Sequence, residues 1–224
     1  MLGRGLLIAA MAFSTSTGFS RQAPDSVAAE PLTARVAFTE LQSPALEILK
    51  RTTRLDMLDY WDADSIYKAK NAVMGLSWIE TLSPDYIKVR LSEVSSCEIK
   101  LLPEKNGRIV MTIYTVGDSV QAPDSQVDFY DTSLRPLDRK KYFKAPDLKD
   151  FFEIPKGSMT SMKEIREMVP FPTVEYSANA ENNSISARLT VGEFMNLDDY
   201  NIVKLFLKPE ITLEWKGKYK VKGK

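Results

Sequence analysis

The sequence predicts an α+β fold: antiparallel sheet, in one or two pieces, with helices packed against it. Three observations lead there. Apolar residues recur at helical spacing after Ser43-Pro44, polar and apolar residues alternate from about residue 73 onward, and Asn106-Gly107 separates two strand-like runs.

Serine is a good N-cap, and proline in the first turn gives up an N–H that would have had no partner. Ala45, Ile48, Leu49, Thr52 and Leu55 then mark an amphipathic helix to about Leu58. Asp56, Asp59, Asp62 and Asp64 follow, where carboxylates oppose the helix dipole, so the helix is expected to stop by Tyr60. Ile87, Val89 and Leu91 share one face of a strand, with Tyr86, Lys88 and Arg90 on the other. Cys97, Ile99 and Leu101 repeat the pattern, and Glu98 and Lys100 are expected to face out. Asn106-Gly107 reads as a hairpin turn whose central positions both need positive φ. Residues 108–116 are apolar on both faces and suit a central strand; 127–131 form a short fifth candidate.

In the second half, residues 147–152 and 159–169 read as helical, the latter ended by Pro170 and Pro172. Residues 174–179 and 184–191 form a hairpin pattern around Glu181-Asn182-Asn183. Residues 193–207 read as a helix closed by Lys208-Pro209, and Ile211, Leu213 and Trp215 alternate in a last strand that turns at Gly217. In the terminal WKGKYKVKGK, Lys216, Lys218, Lys220, Lys222 and Lys224 fall on one face of an extended chain, opposite Tyr219 and Val221. Such lysines guard an exposed edge against pairing, or contact an anionic envelope surface; the first reading is favoured. Helix-then-sheet thus occurs twice, over about 38–145 and 146–224, within a single α+β domain of 38–224. No residue-level repeat links the halves, and a tandem arrangement stays open.

Ahead of this domain, one arginine in residues 1–4 precedes the apolar run GLLIAAMAF and the polar stretch STSTGFS. These are the three regions of a secretory signal peptide, residues 1–20, with cleavage after Ser20 or as late as Ala29. Residues 21–37 read as a flexible leader. The apolar run is shorter than the ~20 residues needed to span a bilayer, and no later stretch qualifies. The expectation is an exported, periplasmic or extracellular protein without an integral membrane segment once the signal is removed.

Composition removes several chemistries. The 224 residues carry 30 basic and 30 acidic side chains, so no bulk charge argues for nucleic acid. Histidine is absent, which takes away the commonest general base and metal ligand. One cysteine allows no internal disulfide. No glycine-rich phosphate loop, zinc ligand set or cofactor motif is present, so neither metal nor cofactor is expected.

The segments LQSPALEILKRTTRLDMLDYWDAD, LSPDYIKVRLSEVSSCEIKLLP, VDFYDTSLRPL and LKPEITLEWKGK resemble a domain family of unknown function found in exported proteins of Bacteroidales. The likeness covers about residues 38–218 and rests on structural motifs: a helix, a serine-rich strand pair and a terminal tryptophan-containing strand. It implies an exported, envelope-associated α+β protein. The family carries no assigned activity, so the resemblance transfers no catalytic residue.

The residues with chemical potential are few. Cys97 would need histidine, a helix N-terminus or a cation to become a nucleophile; its phase with Ile99 and Leu101 makes it packing instead. Ser65-Ile66-Tyr67-Lys68 matches S-x-x-K, but the companion K-T-G and S-D-N elements are missing, so it reads as a loop. Asp62 and Asp64 fall short of a calcium loop, which needs a third ligand and a glycine. They could serve glycoside hydrolysis with Trp61 or Trp78 stacking on a sugar, although a solvated acidic helix end accounts for them more simply. Phe151-Phe152 and Phe171 could form an exposed patch, and more often such residues plug the end of a sheet. The candidate binding residues are therefore Trp61, Asp62, Asp64, Phe171, Lys218 and Lys220, with no catalytic residue assigned. The sequence favours a non-catalytic envelope module binding a protein, peptide or glycan. The alternative is a carboxylate-dependent hydrolase acting on glycans.

Overall fold

The computed structural model describes residues 32–117, 122–169 and 171–223. The expected signal peptide, both cleavage sites and residues 21–31 lie outside the described residues, as does Lys224. Two antiparallel sheets and five α-helices make up the fold.

Structure begins earlier than the leader reading allows. Residues 34–37, placed in the leader, are the first turn of α1 (Ala34–Glu40), capped by the Thr33 hydroxyl, which accepts from the Val36 N–H at 3.2 Å. Ala34, Ala37 and Phe38 are wholly buried, so tertiary packing stabilises a helix too short to persist alone. The predicted helix from Ser43 is broken. Pro44–Leu46 forms one 3₁₀ turn, and α2 (Arg51–Asp62) begins after it and runs past Tyr60. Its buried face is Arg54, Met57 and Leu58, whereas Thr52 and Leu55 face solvent. The Arg54 guanidinium is buried because its Nη1 donates to the Phe38 and Leu41 carbonyls at 2.7 and 2.9 Å, tying α2 to the end of α1.

The first sheet is an up-and-down meander: β1 (Ala69–Lys70), β2 (Leu76–Leu82), β3 (Tyr86–Ser92), β4 (Ser95–Glu104), β5 (Gly107–Val116) and β6 (Asp124–Tyr130), in that order. The hairpin at Asn106-Gly107 forms, with a different turn. Glu104 pairs with Gly107, so the loop is Lys105 and Asn106, and only Gly107, at φ 138°, takes a positive φ. Alternation places Ile87, Val89, Leu91, Cys97, Ile99 and Leu101 in one core with the helices, as expected. The Cys97 thiol is wholly buried there, and burial pushes its pKa up to about 12.

The opposite face is covered too, and here the expectation for Glu98 and Lys100 fails. Both are buried, at 4% and 1% exposure. The cover is a second sheet of β7 (Val174–Ala178), β8 (Ile185–Leu189), β9 (Ile211–Trp215) and β10 (Tyr219–Val221), in the order β10-β9-β8-β7. The chain turns at Gly217 and returns as β10 alongside β9, an edge strand as the extended reading of the lysine-rich end expects, with Tyr219 buried. Leu102, Met111, Ile113 and Phe129 of the first sheet meet Tyr176, Ile185 and Leu213 of the second in one apolar core. The result is three layers, helices on sheet on sheet.

Three short helices close the ends of the second core. They are α3 (Arg139–Tyr142), α4 (Met162–Met168) with a Ser161–Glu164 capping box, and α5 (Leu197–Val203). The helix expected over 193–207 is split because the Asn196 side chain caps α5, accepting from the Asp199 N–H at 2.8 Å. The segment expected as a helix over 147–152 is a 3₁₀ turn, Leu148–Phe151, with a capping box of Asp147 and Asp150.

Candidate functional site

Two side chains of β4, Glu98 and Lys100, join the two sheets. The Glu98 carboxylate accepts from the Ala178 N–H at 2.8 Å, the Tyr86 hydroxyl at 3.1 Å and the Ser177 hydroxyl at 3.2 Å. Lys88 stands 3.8 Å away. Burial pushes the Glu98 carboxyl above its ordinary range, and Lys88 and the three donors offset only part of this. Lys100 Nζ donates to the Ala180 carbonyl at 2.9 Å and pairs with Asp85 at 3.0 Å. These contacts clasp β7 and its following loop onto β4. Sequence alternation alone gave no sign of them, since a covered polar row reads like a solvated one.

A recess able to take a ligand lies at the β2 edge of the same sheet, next to this joint through Lys88, which stands 3.7 Å from Glu80 and 3.8 Å from Glu98. Trp61, Asp64, Ser65 and Ile66, from the end of α2 and the loop after it, face Trp78, Ile79 and Glu80 of β2 across about 470 Å³. β1 pairs with β2 only at Leu76 and Ser77, so among the described residues the edge of β2 from Trp78 to Leu82 has no strand partner. The two tryptophans stand on opposite sides of this edge. Trp78 lies opposite Arg90 in β3, whereas its neighbour Ile79 lies opposite Val89, a member of the helix-side core. Trp78 therefore points away from the helices, and Trp61 comes from the helix layer itself. Lys68 Nζ sits 5.0 Å from the centre of the Trp78 ring. A free row of backbone donors and acceptors between two aromatic walls is the arrangement that accepts an extended chain as an added strand.

The sequence candidates divide accordingly. Trp61 and Asp64 line this groove with Trp78. Asp62 does not: Arg35 grips both its oxygens, Nη1 at 2.9 Å from Oδ2, and hydrogen bonding from Arg35 holds its carboxyl below the usual range. Ser65 and Lys68 lie in the loop between α2 and β1, as the loop reading of S-x-x-K expects. Phe151 and Phe152 are buried and do plug the second core, whereas Phe171 is 78% exposed. Lys218 and Lys220 border a different cleft of about 380 Å³ with Lys144 and Asp147. Lys218 Nζ donates to the Lys140 carbonyl at 3.0 Å, and Lys220 faces solvent on the edge strand β10. Sequence reasoning missed Glu80, a groove residue whose carboxylate is held by Arg90 at 3.0 Å and Lys88 at 3.7 Å. Its position two residues after Trp78 in an alternating run was the available signal. Among the described residues no group of three or more acidic or cysteine side chains is placed to hold a metal ion.

A protein-family model matches residues 27–219, that of Protein of unknown function (DUF3256). The chain belongs to this family. No curated protein matches it. Among solved structures it is similar to a domain of an uncharacterized protein from Porphyromonas gingivalis W83, at 20% identity and a TM-score of 0.70, over 85% of this chain and 98% of that one. At that identity the likeness carries the fold alone. The family match starts ahead of the boundary drawn at residue 38, in keeping with the buried α1. Among the described residues no helix is long and apolar enough to cross a membrane.

Proposed function

We propose that this DUF3256 protein is an exported, non-catalytic binding module of the bacterial envelope, and that it holds an extended peptide segment of a partner along the free edge of β2. The observation that carries the reading is the unpaired β2 edge from Trp78 to Leu82, whose first three residues line a groove walled by Trp61 on one side and Trp78 on the other. Main-chain hydrogen bonds along the edge would supply affinity, and alternate ligand side chains would meet one tryptophan or the other. Export is supported by the tripartite N-terminus.

The second reading is a carboxylate-dependent hydrolase acting on glycans. One observation favours it: Asp64 and Glu80 share the groove with both tryptophans. Against it, the Glu80 oxygens are engaged by Arg90 and Lys88, and Asp62 is engaged by Arg35. The two readings separate in one experiment. Peptides selected from a random display library on the purified protein should bind it, and lose at least about tenfold in affinity with Trp61→Ala or Trp78→Ala. Failure to select any peptide, together with release of reducing ends from envelope oligosaccharides that Asp64→Asn abolishes, would replace the binding module with the hydrolase.

A further inference from the structure

We propose that the end of the first sheet carrying the turn between β1 and β2 docks on a lipid surface, with Val73 and Met74 entering the interfacial layer. Trp78 belongs both to this end of the sheet and to the groove, but Val73 and Met74, the two residues that enter the lipid, line no part of the groove. Val73 is 62% and Met74 96% exposed, and Met74 is held at φ 65°, a conformation costly for a long side chain. Leu76, Val94 and Val116 extend the apolar rim. They lie at one end of the sheet, because Lys70 pairs with Leu76, Ser95 pairs with Val116, and the Gly117 N–H reaches the Val94 carbonyl at 2.8 Å.

What makes the tip suited to lipid is its hydrogen bonding. Every backbone N–H from residue 71 to 75 is satisfied inside the protein. Asn71 N–H donates to the Gly75 carbonyl at 3.0 Å, Ala72 to Ile48 at 2.9 Å and Met74 to the Asn71 carbonyl at 3.2 Å. The Asn71 side-chain oxygen accepts from Val73 at 3.1 Å and Gly75 at 2.9 Å, and its amide anchors to the Leu91 carbonyl at 2.8 Å. Leaving water therefore strands none of these donors, which removes the N–H part of the cost of putting a loop into an apolar phase and suits shallow entry that leaves the carbonyls at the headgroup level. Behind the tip come Trp78 and the exposed Lys68 and Lys70. Lys70 lies beside Leu76 and Lys68 beside Trp78, so lysine and indole flank the aliphatic tip together, as at a membrane interface, and the lysine stems can carry their charges out to headgroups. Glu93, in the neighbouring turn, borders the same recess as Lys68, and exposed Glu47 precedes Ile48, whose carbonyl holds the Ala72 N–H.

The buried thiol of Cys97 makes a site-specific test practical, since an engineered surface cysteine will be the reactive one. Met74→Cys, labelled with an environment-sensitive fluorophore, is mixed with vesicles of phosphatidylethanolamine and phosphatidylglycerol. Met159→Cys, at a position 98% exposed in another part of the chain, is the control. The label at 74 should shift to the blue and the label at 159 should not. Val73→Ser with Met74→Asn should lower vesicle partitioning about tenfold while preserving the fold, because asparagine tolerates positive φ. All variants carry the same N-terminus, so any contribution of the leader cancels. No shift at 74, or equal shifts at both positions, would overturn the proposal. A shift seen with protein-bearing envelope vesicles but not with pure lipid would also overturn it, assigning the tip to a protein partner.

Discussion

The two sheets end in free edges of opposite character. The outer edge of β10 presents Lys220 to solvent, with Lys218 drawn to the Lys140 carbonyl and Lys216 and Lys222 flanking Glu214 at 3.0 and 3.9 Å. The outer edge of β2 presents no lysine of its own between Trp78 and Leu82, and two tryptophans wall it. Lysines along a strand discourage another chain from pairing, while aromatic walls reward it. One edge is guarded and the other is left receptive. That difference, in a single chain under the same constraints, is the strongest argument that the β2 edge is a contact site rather than an accident of a short β1.

Both edges depend on the joint between the sheets, and the largest effect is expected there. Lys100→Ala would leave Asp85 and the Ala180 carbonyl without their partner in a site where Lys100 is wholly buried. Asp85 is 38% exposed and still accepts from the Ser83 hydroxyl, and water can reach the Ala180 carbonyl. The cost should therefore be that of the lost hydrogen bonds and lysine packing, roughly 1–3 kcal/mol, read from the shift of a urea unfolding midpoint. If both edges share this joint, Lys100→Ala will loosen β2 and β10 together in one unfolding transition. A separate, earlier transition of the second sheet would mean that the edges belong to independent units.

The next effects address the edges themselves. Ile66 lines the groove from an exposed loop, so Ile66→Lys adds a guard beside β2 without disturbing the core. It should weaken binding of a display-selected peptide about tenfold, equivalent to ~1.4 kcal/mol, with an unchanged melting temperature. Lys220→Thr does the reverse at β10 and should raise self-association, measured by sedimentation velocity, with peptide affinity unaltered. If Lys220→Thr instead abolishes binding to anionic vesicles or wall fragments without self-association, the lysines form a contact site and the contrast between the edges collapses.

The smallest effect concerns pH. Glu98 has its folded pKa raised above the ordinary 4.5, so its contribution to stability is complete below that value and is lost as pH rises through the folded pKa. Glu98→Gln removes the titration while keeping an oxygen for the Ala178 N–H. The variant should therefore lose less stability than wild type between pH 4.5 and neutrality. Parallel profiles of melting temperature against pH would show that the joint does not titrate.

Much of the first sheet was legible because alternation is local. Ile87, Val89 and Leu91, then Cys97, Ile99 and Leu101, announce their face without reference to the rest of the chain. Glu98 and Lys100 were misread because nothing within β4 says whether its polar row is solvated or covered. The informative signal lay next door: residues 108–116 are apolar on both faces, which requires a second layer over β5 and hence beside β4. In α2 the error came from Ser43-Pro44, a sound helix start that yields one 3₁₀ turn, and from Arg54, whose burial depends on carbonyls 13 and 16 residues away. Half of the groove was visible as well. Trp61, Asp64 and Trp78 could be marked by type, but that they share one recess follows from the end of α2 meeting the edge of β2, a contact of tertiary origin.

The most direct test of the β2 edge as the binding site is hydrogen–deuterium exchange of the protein with and without a display-selected peptide. The amides of residues 78–82 should become protected on binding, while those of β10 exchange unchanged. Protection at β10, or binding with no added protection at residues 78–82, would contradict the account.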